Sequence, residues 1–306
     1  MPVAVLALLA TAGCTGTSST SREQAVTPAH LMVPGDLERL PSRPPDQRIA
    51  YGTDSSQFGE LRVPSGAGIH PVAVLIHGGC FKAAYATRRD LDAMGDALQA
   101  AGIATWNVEY RRLGQPGGGW PGTYIDVASA VDHLRVLATR YPLDLGRVVL
   151  VGHSAGGHLA MWAAGRARVP ARSAIHAVDP LRVRGVVDLA GPLDLTAKIA
   201  EYEAGCRDSV ITQLMGGSPT AVPDHYAHAS VRALLPLGVP QVVVLAEHDD
   251  FMFRPDVEQY ARAAAAAGDS VTVIDIPAVG HFELASPRAA SWSRVESAIR
   301  SLLGGG

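Results

Sequence analysis

The chain has 306 residues, of which 47% are hydrophobic and 18% are charged, and its formal net charge at pH 7 is −3. This composition suits a globular protein with a large core and excludes a disordered, low-hydrophobicity chain. A slightly negative net charge gives no reason to expect nucleic acid or an anionic membrane surface as a partner. The length allows one large α/β domain or two small ones.

An apolar run at residues 3–10 opens the chain and is too short to span a bilayer. Small residues then lead to Cys14, as in the signal peptides of bacterial lipoproteins, and an ordinary secretory signal is the alternative. We therefore predict a signal over residues 1–14 and an exported protein. It would be anchored to a membrane through a lipidated Cys14, or otherwise be secreted or periplasmic. Residues 15–47, rich in Ser, Thr and Pro, are predicted to be a flexible linker.

Short apolar runs alternate with helical patterns from residue 48 to the end. The first two predicted strands are expected to pair at a sheet edge. Later runs such as 242–245 are apolar throughout, as required of strands that helices cover on both faces, so the sheet is predicted to be mostly parallel. Strands are predicted at 48–51, 60–63, 72–76, 103–110, 147–151, 183–189, 241–246 and 271–276, and helices at 89–101, 124–141, 158–164 and 286–303.

Residues 191–240 interrupt this alternation with helical pieces at 196–204 and 208–214. An insertion between two strands of such a sheet commonly covers the site at the sheet edge. We therefore predict a single domain over residues 48–306 that contains a cap-like insertion over residues 191–240.

The sequence G-H-S-A-G at residues 152–156 lies between a predicted strand and a predicted helix. A G-x-S-x-G serine in this setting stands on a sharp turn that exposes its hydroxyl at the helix N-terminus, and the turn admits only very small flanking residues. Ser154 is therefore the predicted nucleophile.

The partners that a serine nucleophile needs follow later strands of the sheet. His281 comes just after the last strand and is the candidate general base. Asp249 follows the strand at 241–246 and is the candidate acid that orients the imidazole, with Asp250 and Glu247 as alternatives. A simpler interpretation is that these acids cap the N-terminus of the next helix. The chain order Ser, Asp, His is that of α/β-hydrolases.

The segment His-Gly-Gly-Cys at residues 77–80 follows the strand at 72–76. Two glycines allow backbone N–H groups to turn toward a substrate carbonyl, so we predict an oxyanion hole formed by the N–H groups of Gly79, Cys80 and Ala155. His77 is expected to shape this loop by hydrogen bonding. The scattered His and Cys residues do not predict a metal site.

Two further features leave alternatives open. Cys80 and Cys206 could form a disulfide in an exported protein, or remain free thiols. Trp120, in the Gly-rich run at residues 114–122, belongs either to a solvent-exposed loop or to a loop that contacts substrate.

With these residues in place, the chain resembles the α/β-hydrolase superfamily over residues 48–303. It resembles in particular the esterase/lipase branch that contains kynurenine formamidase-like enzymes and small carboxylesterases. The resemblance rests on the motifs at 77–79 and 152–159, on Glu247-His248-Asp249 and on Gly280-His281-Phe282. It implies a Ser154–Asp249–His281 triad, hydrolysis of a small-molecule ester or amide through an acyl-enzyme, and no cofactor.

One departure separates the chain from the formamidases, which usually carry an aromatic pair where this chain has Cys80-Phe81. A carboxylic ester is therefore favoured as substrate, and an aryl formamide or amide is the alternative. A peptidase is disfavoured because nothing in the sequence indicates an accessory domain that grips peptides. A non-catalytic hydrolase-like protein would be expected to lack a triad residue.

Overall fold

The computed structural model describes residues 30–197 and 199–304. The predicted signal over residues 1–14 and residues 15–29 of the predicted linker lie outside the described residues. None of the described helices is long and apolar enough to cross a lipid bilayer.

The central sheet contains eight strands, which are β1 (Gln47–Ala50), β2 (Phe58–Arg62), β3 (His70–Ile76), β4 (Ala104–Val108), β5 (Leu143–His153), β6 (Gly185–Leu189), β7 (Gln241–His248) and β8 (Val271–Gly280). Their spatial order is β1-β2-β4-β3-β5-β6-β7-β8. Strand β2 is antiparallel to both of its neighbours, and all pairs from β4 to β8 are parallel. The prediction of a mostly parallel sheet whose first two strands pair at one edge is therefore confirmed.

Helices cover the sheet, and their bounds are α1 (Asp92–Ala100), α2 (Gly122–Asp132), α3 (Leu134–Leu137), α4 (Ala155–Gly165), α5 (Ile199–Cys206), α6 (Val210–Met215), α7 (Pro223–Ala229), α8 (Arg254–Ala266) and α9 (Trp292–Leu303). Consecutive residues at the centre of β5, 148–151, are all fully buried. Since successive side chains of a strand point to opposite faces, both faces of the sheet are covered there. This is why the central runs are apolar without alternation.

Several boundaries differ from those predicted. The predicted helix at 124–141 is split into α2 and α3 at His133, and the predicted helix at 286–303 begins only at Trp292. Helix α8 was not predicted at all. Its buried residues are Val257, Tyr260 and Ala264, a narrow stripe within an alanine-rich run that gives a weak periodic signal.

The domain also begins before the predicted boundary at residue 48. Leu37 lies in a 3₁₀ turn (Leu37–Arg39) and is buried in the hydrophobic core. The Met32 N–H donates to Glu283 Oε1 at 2.5 Å, and the Val63 N–H donates to Asp46. The linker prediction is therefore wrong for residues 30–47. Burial of Leu37 holds this segment against the core, although its composition is typical of a linker.

Cys80 and Cys206 form a disulfide with a Cα–Cα distance of 5.9 Å, so the free-thiol alternative is wrong. The bond joins the loop after β3 to the end of α5. A cross-link between residues this far apart in sequence restricts the unfolded chain strongly.

We expect that the double substitution Cys80→Ser/Cys206→Ser will lower the free energy of unfolding by about 2–5 kcal/mol, because the unfolded chain regains the freedom that the cross-link removes. Urea unfolding under non-reducing conditions measures the difference. Wild-type protein reduced with a phosphine should match the double variant, and an unchanged urea midpoint in both would contradict the prediction.

Candidate active site

Ser154 stands on the turn between β5 and α4 with φ 55° and ψ −125°. A non-glycine residue rarely adopts a positive φ, and such strain is typical of nucleophile turns. A Cβ at Gly152 would lie 2.0 Å from the Gly156 carbonyl oxygen, and a Cβ at Gly156 would lie 2.0 Å from the Ile76 carbonyl oxygen. The turn therefore requires glycine at both positions.

Asp249 and His281 meet at the ends of β7 and β8. The strand register pairs His248 with Gly280, and this pairing places the residue after each one side by side. Asp249 Oδ2 lies 2.9 Å from His281 Nδ1, and the two side chains are 1% and 5% exposed. Asp249 Oδ1 accepts the backbone N–H groups of Phe251 and Met252.

The surroundings of Asp249 favour its charged form. Burial by itself would raise the pKa of this carboxyl. The hydrogen bond and charge interaction with His281 outweigh burial, together with the two backbone N–H donors, and hold the pKa of Asp249 below its usual value. A carboxylate in this position accepts the Nδ1 proton of the imidazole and leaves Nε2 free to take a proton.

The two alternative acids lie elsewhere. Asp250 is exposed, and Glu247 is exposed and accepts the Ala278 N–H through Oε2. Of the three acids predicted after this strand, the structure brings only Asp249 to His281.

His153, the residue before Ser154, contacts His281 and so brings Ser154 and His281 to the same region. His153 Nε2 donates to the His281 carbonyl oxygen at 3.0 Å, and the two imidazole rings lie 4.7 Å apart. Within residues 30–197 and 199–304, no hydrogen bond joins the Ser154 hydroxyl to His281. Such bonds are often absent without substrate and form in the substrate complex.

His153 was not predicted to take part in the site, because sequence position alone does not reveal a contact with a residue 128 positions away. It is 2% exposed. Burial, and then the nearby charge of His281, lower the pKa of His153 to about 3. The ring is therefore neutral near pH 7, carries its proton on Nε2, and holds the loop that bears His281.

The loop after β3 adopts left-handed backbone at three successive residues, Gly79 (φ 99°), Cys80 (φ 50°) and Phe81 (φ 58°). A Cβ at Gly78 would lie 2.9 Å from Ser154 Cβ, so this loop lies directly against the turn that bears Ser154. Among the described residues, the backbone N–H groups of Gly79, Cys80 and Ala155 donate to no other protein group. They are free to bind a ligand.

A network of buried ionisable side chains contacts this loop. His77 Nδ1 lies 2.9 Å from the Gly78 carbonyl oxygen, and its Nε2 lies 3.0 Å from Glu109 Oε1. Arg112 pairs with the same carboxylate. Burial alone would raise the pKa of Glu109, but His77 and Arg112 lower it to about 2. The expectation that His77 shapes the loop by hydrogen bonding agrees with these contacts.

Trp120 packs against α6 and α7, between strands β6 and β7 in the chain, an outcome that neither sequence alternative described. Its backbone N–H donates to the Leu214 carbonyl at 2.7 Å, and its ring stacks on that of His225 with the ring centroids 4.3 Å apart. The Gly-rich loop therefore contacts α6 and α7 through Trp120.

His158, on α4, is fully buried between two polar partners. Its Nδ1 lies 2.9 Å from the Pro192 carbonyl oxygen, and its Nε2 lies 3.0 Å from the Tyr124 hydroxyl. Burial lowers the pKa of His158 to about 4, although the bond to Pro192 acts in the opposite direction. The ring is neutral in the folded protein at neutral pH.

We expect this histidine to make the folded protein sensitive to acid. An unfolded histidine binds a proton below about pH 6.5, and the folded one does so only below about pH 4. Stability is therefore lost as pH falls through this window, by about 2 kcal/mol at pH 5. The free-energy difference between wild type and His158→Gln, from urea unfolding, should shrink by this amount between pH 7.5 and 5. A difference that stays constant would contradict the prediction.

Comparison with known proteins adds independent information. The sequence model of the BD-FAE family matches residues 61–255, which is more than half of the chain. No curated protein has a significantly similar sequence.

Solved structures similar to this chain show its fold. Esterase B from Lactobacillus rhamnosis is 18% identical with a TM-score of 0.71, over 86% of this chain and 89% of that one. The Thermogutta terrifontis esterase Est2 is 18% identical with a TM-score of 0.67, over 86% and 96%. A bifunctional GH43-CE protein from Bacteroides eggerthii is 22% identical with a TM-score of 0.68, over 83% of this chain. This chain spans only 37% of that protein's length. The predicted α/β-hydrolase fold is confirmed.

Proposed function

We propose that this chain, which belongs to the BD-FAE family, is a serine hydrolase that cleaves carboxylic esters of small molecules. The observation that carries this proposal is the buried Asp249–His281 hydrogen bond at the sheet edge where Ser154 stands on its strained turn. The structural neighbours agree with this reading. One of them is described as an esterase B inhibited by a tributyrin phosphonate, and another as an acetyl ester-xyloside hydrolase.

In the proposed reaction, Asp249 holds His281 with its proton on Nδ1, so that Nε2 accepts the hydroxyl proton of Ser154. Ser154 Oγ attacks the ester carbonyl and forms a tetrahedral intermediate. The free N–H groups of Gly79, Cys80 and Ala155 donate to its oxyanion.

Collapse of the intermediate breaks the bond to the alcohol, and His281 gives its proton to the departing oxygen. Water then repeats the sequence on the acyl-enzyme and releases the acid. His281 becomes an imidazolium twice in this cycle, beside the ring of His153. Because His153 is neutral near pH 7, it does not repel the transient positive charge on His281.

Single substitutions at Asp249 and Ser154 test the roles proposed for these residues. Asp249→Asn should lower kcat/KM for p-nitrophenyl acetate by roughly 10³–10⁴-fold, because an amide in this position favours the wrong imidazole tautomer. Ser154→Ala should lower it by at least as much. The matched control is Asp250→Asn, which makes the same change at the exposed neighbour and should leave kcat/KM within about twofold of wild type.

Stopped-flow or plate assays with purified variants measure these ratios. Equal losses in Asp249→Asn and Asp250→Asn would contradict the acid assignment. Ester cleavage by Ser154→Ala at the wild-type rate would contradict the proposed function as a whole.

We also propose that the enzyme acts outside the cytoplasm, as a lipoprotein anchored through Cys14. The Cys80–Cys206 disulfide supports an oxidising compartment, since such bonds are rare in the cytosol. Cys14 itself lies outside the described residues, so this proposal depends on the sequence pattern and on the compartment that the disulfide favours.

A further inference from the structure

A small cavity of about 30 Å³ lies beside Ser154. One part of its wall comes from the turn and the oxyanion loop, through Ala155, Cys80 and Phe81. Another part comes from the cap, through Val210 and Ile211 of α6. Among the described residues, no acidic, basic or histidine side chain lines this cavity.

The position of the cavity relative to His281 decides whether the cavity binds the acyl group or the alcohol group of an ester. Cys80 and Ala155, which supply the proposed oxyanion donors, line the cavity. His281 does not line it. Phe251 does, and its ring lies 4.4 Å from that of His281. The departing alcohol must lie on the His281 side, because His281 protonates it. The acyl group therefore extends into the cavity.

The chemistry of the wall limits the acyl group. A charged acyl group would lose its hydration and find no ion-pair partner there, which is costly. The cavity volume of about 30 Å³ is far below the roughly 300–1,000 Å³ of a pocket for a drug-sized ligand. Both features favour a short and uncharged acyl chain.

The cap cannot easily withdraw to admit a longer chain. The disulfide joins Cys80 of the oxyanion loop to Cys206 at the end of α5. Lys82 pairs with Asp208, the second residue after that disulfide. Val210 and Ile211 follow after Ser209 and are each 1% exposed. The wall that they form is therefore tied to the loop that faces it.

We infer that this cavity is the acyl-binding pocket, that it takes short uncharged acyl groups, and that Ile211 and Val210 set the longest chain it admits. The inference rests on the ester hydrolysis proposed above. Residues 210 and 211 belong to neither the proposed triad nor the proposed oxyanion hole, so they set chain length without taking part in the chemistry.

The test compares kcat/KM for p-nitrophenyl acetate, butyrate and octanoate. Wild type should prefer the two short esters. Ile211→Ala should raise the octanoate-to-butyrate ratio by about 10-fold, since space for a few methylene groups changes discrimination on this scale. Ile211→Phe should act in the opposite direction and lower butyrate relative to acetate.

Ile125→Ala is the matched control. It removes the same atoms from an isoleucine of α2 that is 39% exposed and does not line the cavity, so its ratios should equal those of wild type. Val210→Ala is a second variant with the same expected direction as Ile211→Ala, and thermal unfolding identifies any variant that does not fold.

Two outcomes would overturn the inference: a wild type that prefers octanoate, or folded Ile211→Ala and Val210→Ala variants that keep the wild-type ratio. If Ser154→Ala is inactive in the same assays, the proposed function stands while the pocket assignment fails. If Ser154→Ala remains active, the proposed function itself fails.

Discussion

The close approach of backbone segments at Ser154 constrains everything around it. The turn presses Gly156 against the end of β3, and Gly78 of the following loop lies against the serine itself. No side chain beyond hydrogen fits at either glycine without displacing backbone. Because the turn at Ser154 and the loop after β3 share these contacts, a displacement of one requires a displacement of the other. The position of Ser154 relative to the loop after β3 is therefore set by the packing of the backbone.

Buried histidines extend this rigidity outward from the turn. His153 ties the turn to the loop that carries His281, and His158 ties α4 to Pro192 at the base of the cap. His77 links the oxyanion loop to a carboxylate on the segment after β4. Each ring joins elements that are distant in sequence. Their hydrogen bonds satisfy polar groups that would otherwise be costly to bury.

Much of the site was predictable because parallel strands end at one edge of a sheet. A glycine-flanked serine after β5 and a histidine after β8 need only that rule to be placed near each other. The sequence favoured Asp249 over Asp250 as the partner of His281, and the structure places Asp249 beside that imidazole.

Features that depend on contacts between distant segments could not be predicted. The role of His153, the disulfide and the packing of Trp120 against the cap are of this kind. The burial of Leu37 is another, since nothing local distinguishes it from a linker residue. Helix α8 was missed for a different reason, because alanine contributes to both buried and exposed faces and blurs the helical period.

The central claim is that Ser154 is an activated nucleophile whose base is His281. The most direct measurement is intact-mass and peptide analysis after treatment with an alkyl phosphonate ester. The account predicts one adduct, on Ser154, that forms roughly 10²-fold or more slowly in His281→Ala, where no base takes the hydroxyl proton. An adduct on another residue, or equal labelling rates with and without the imidazole, would contradict it.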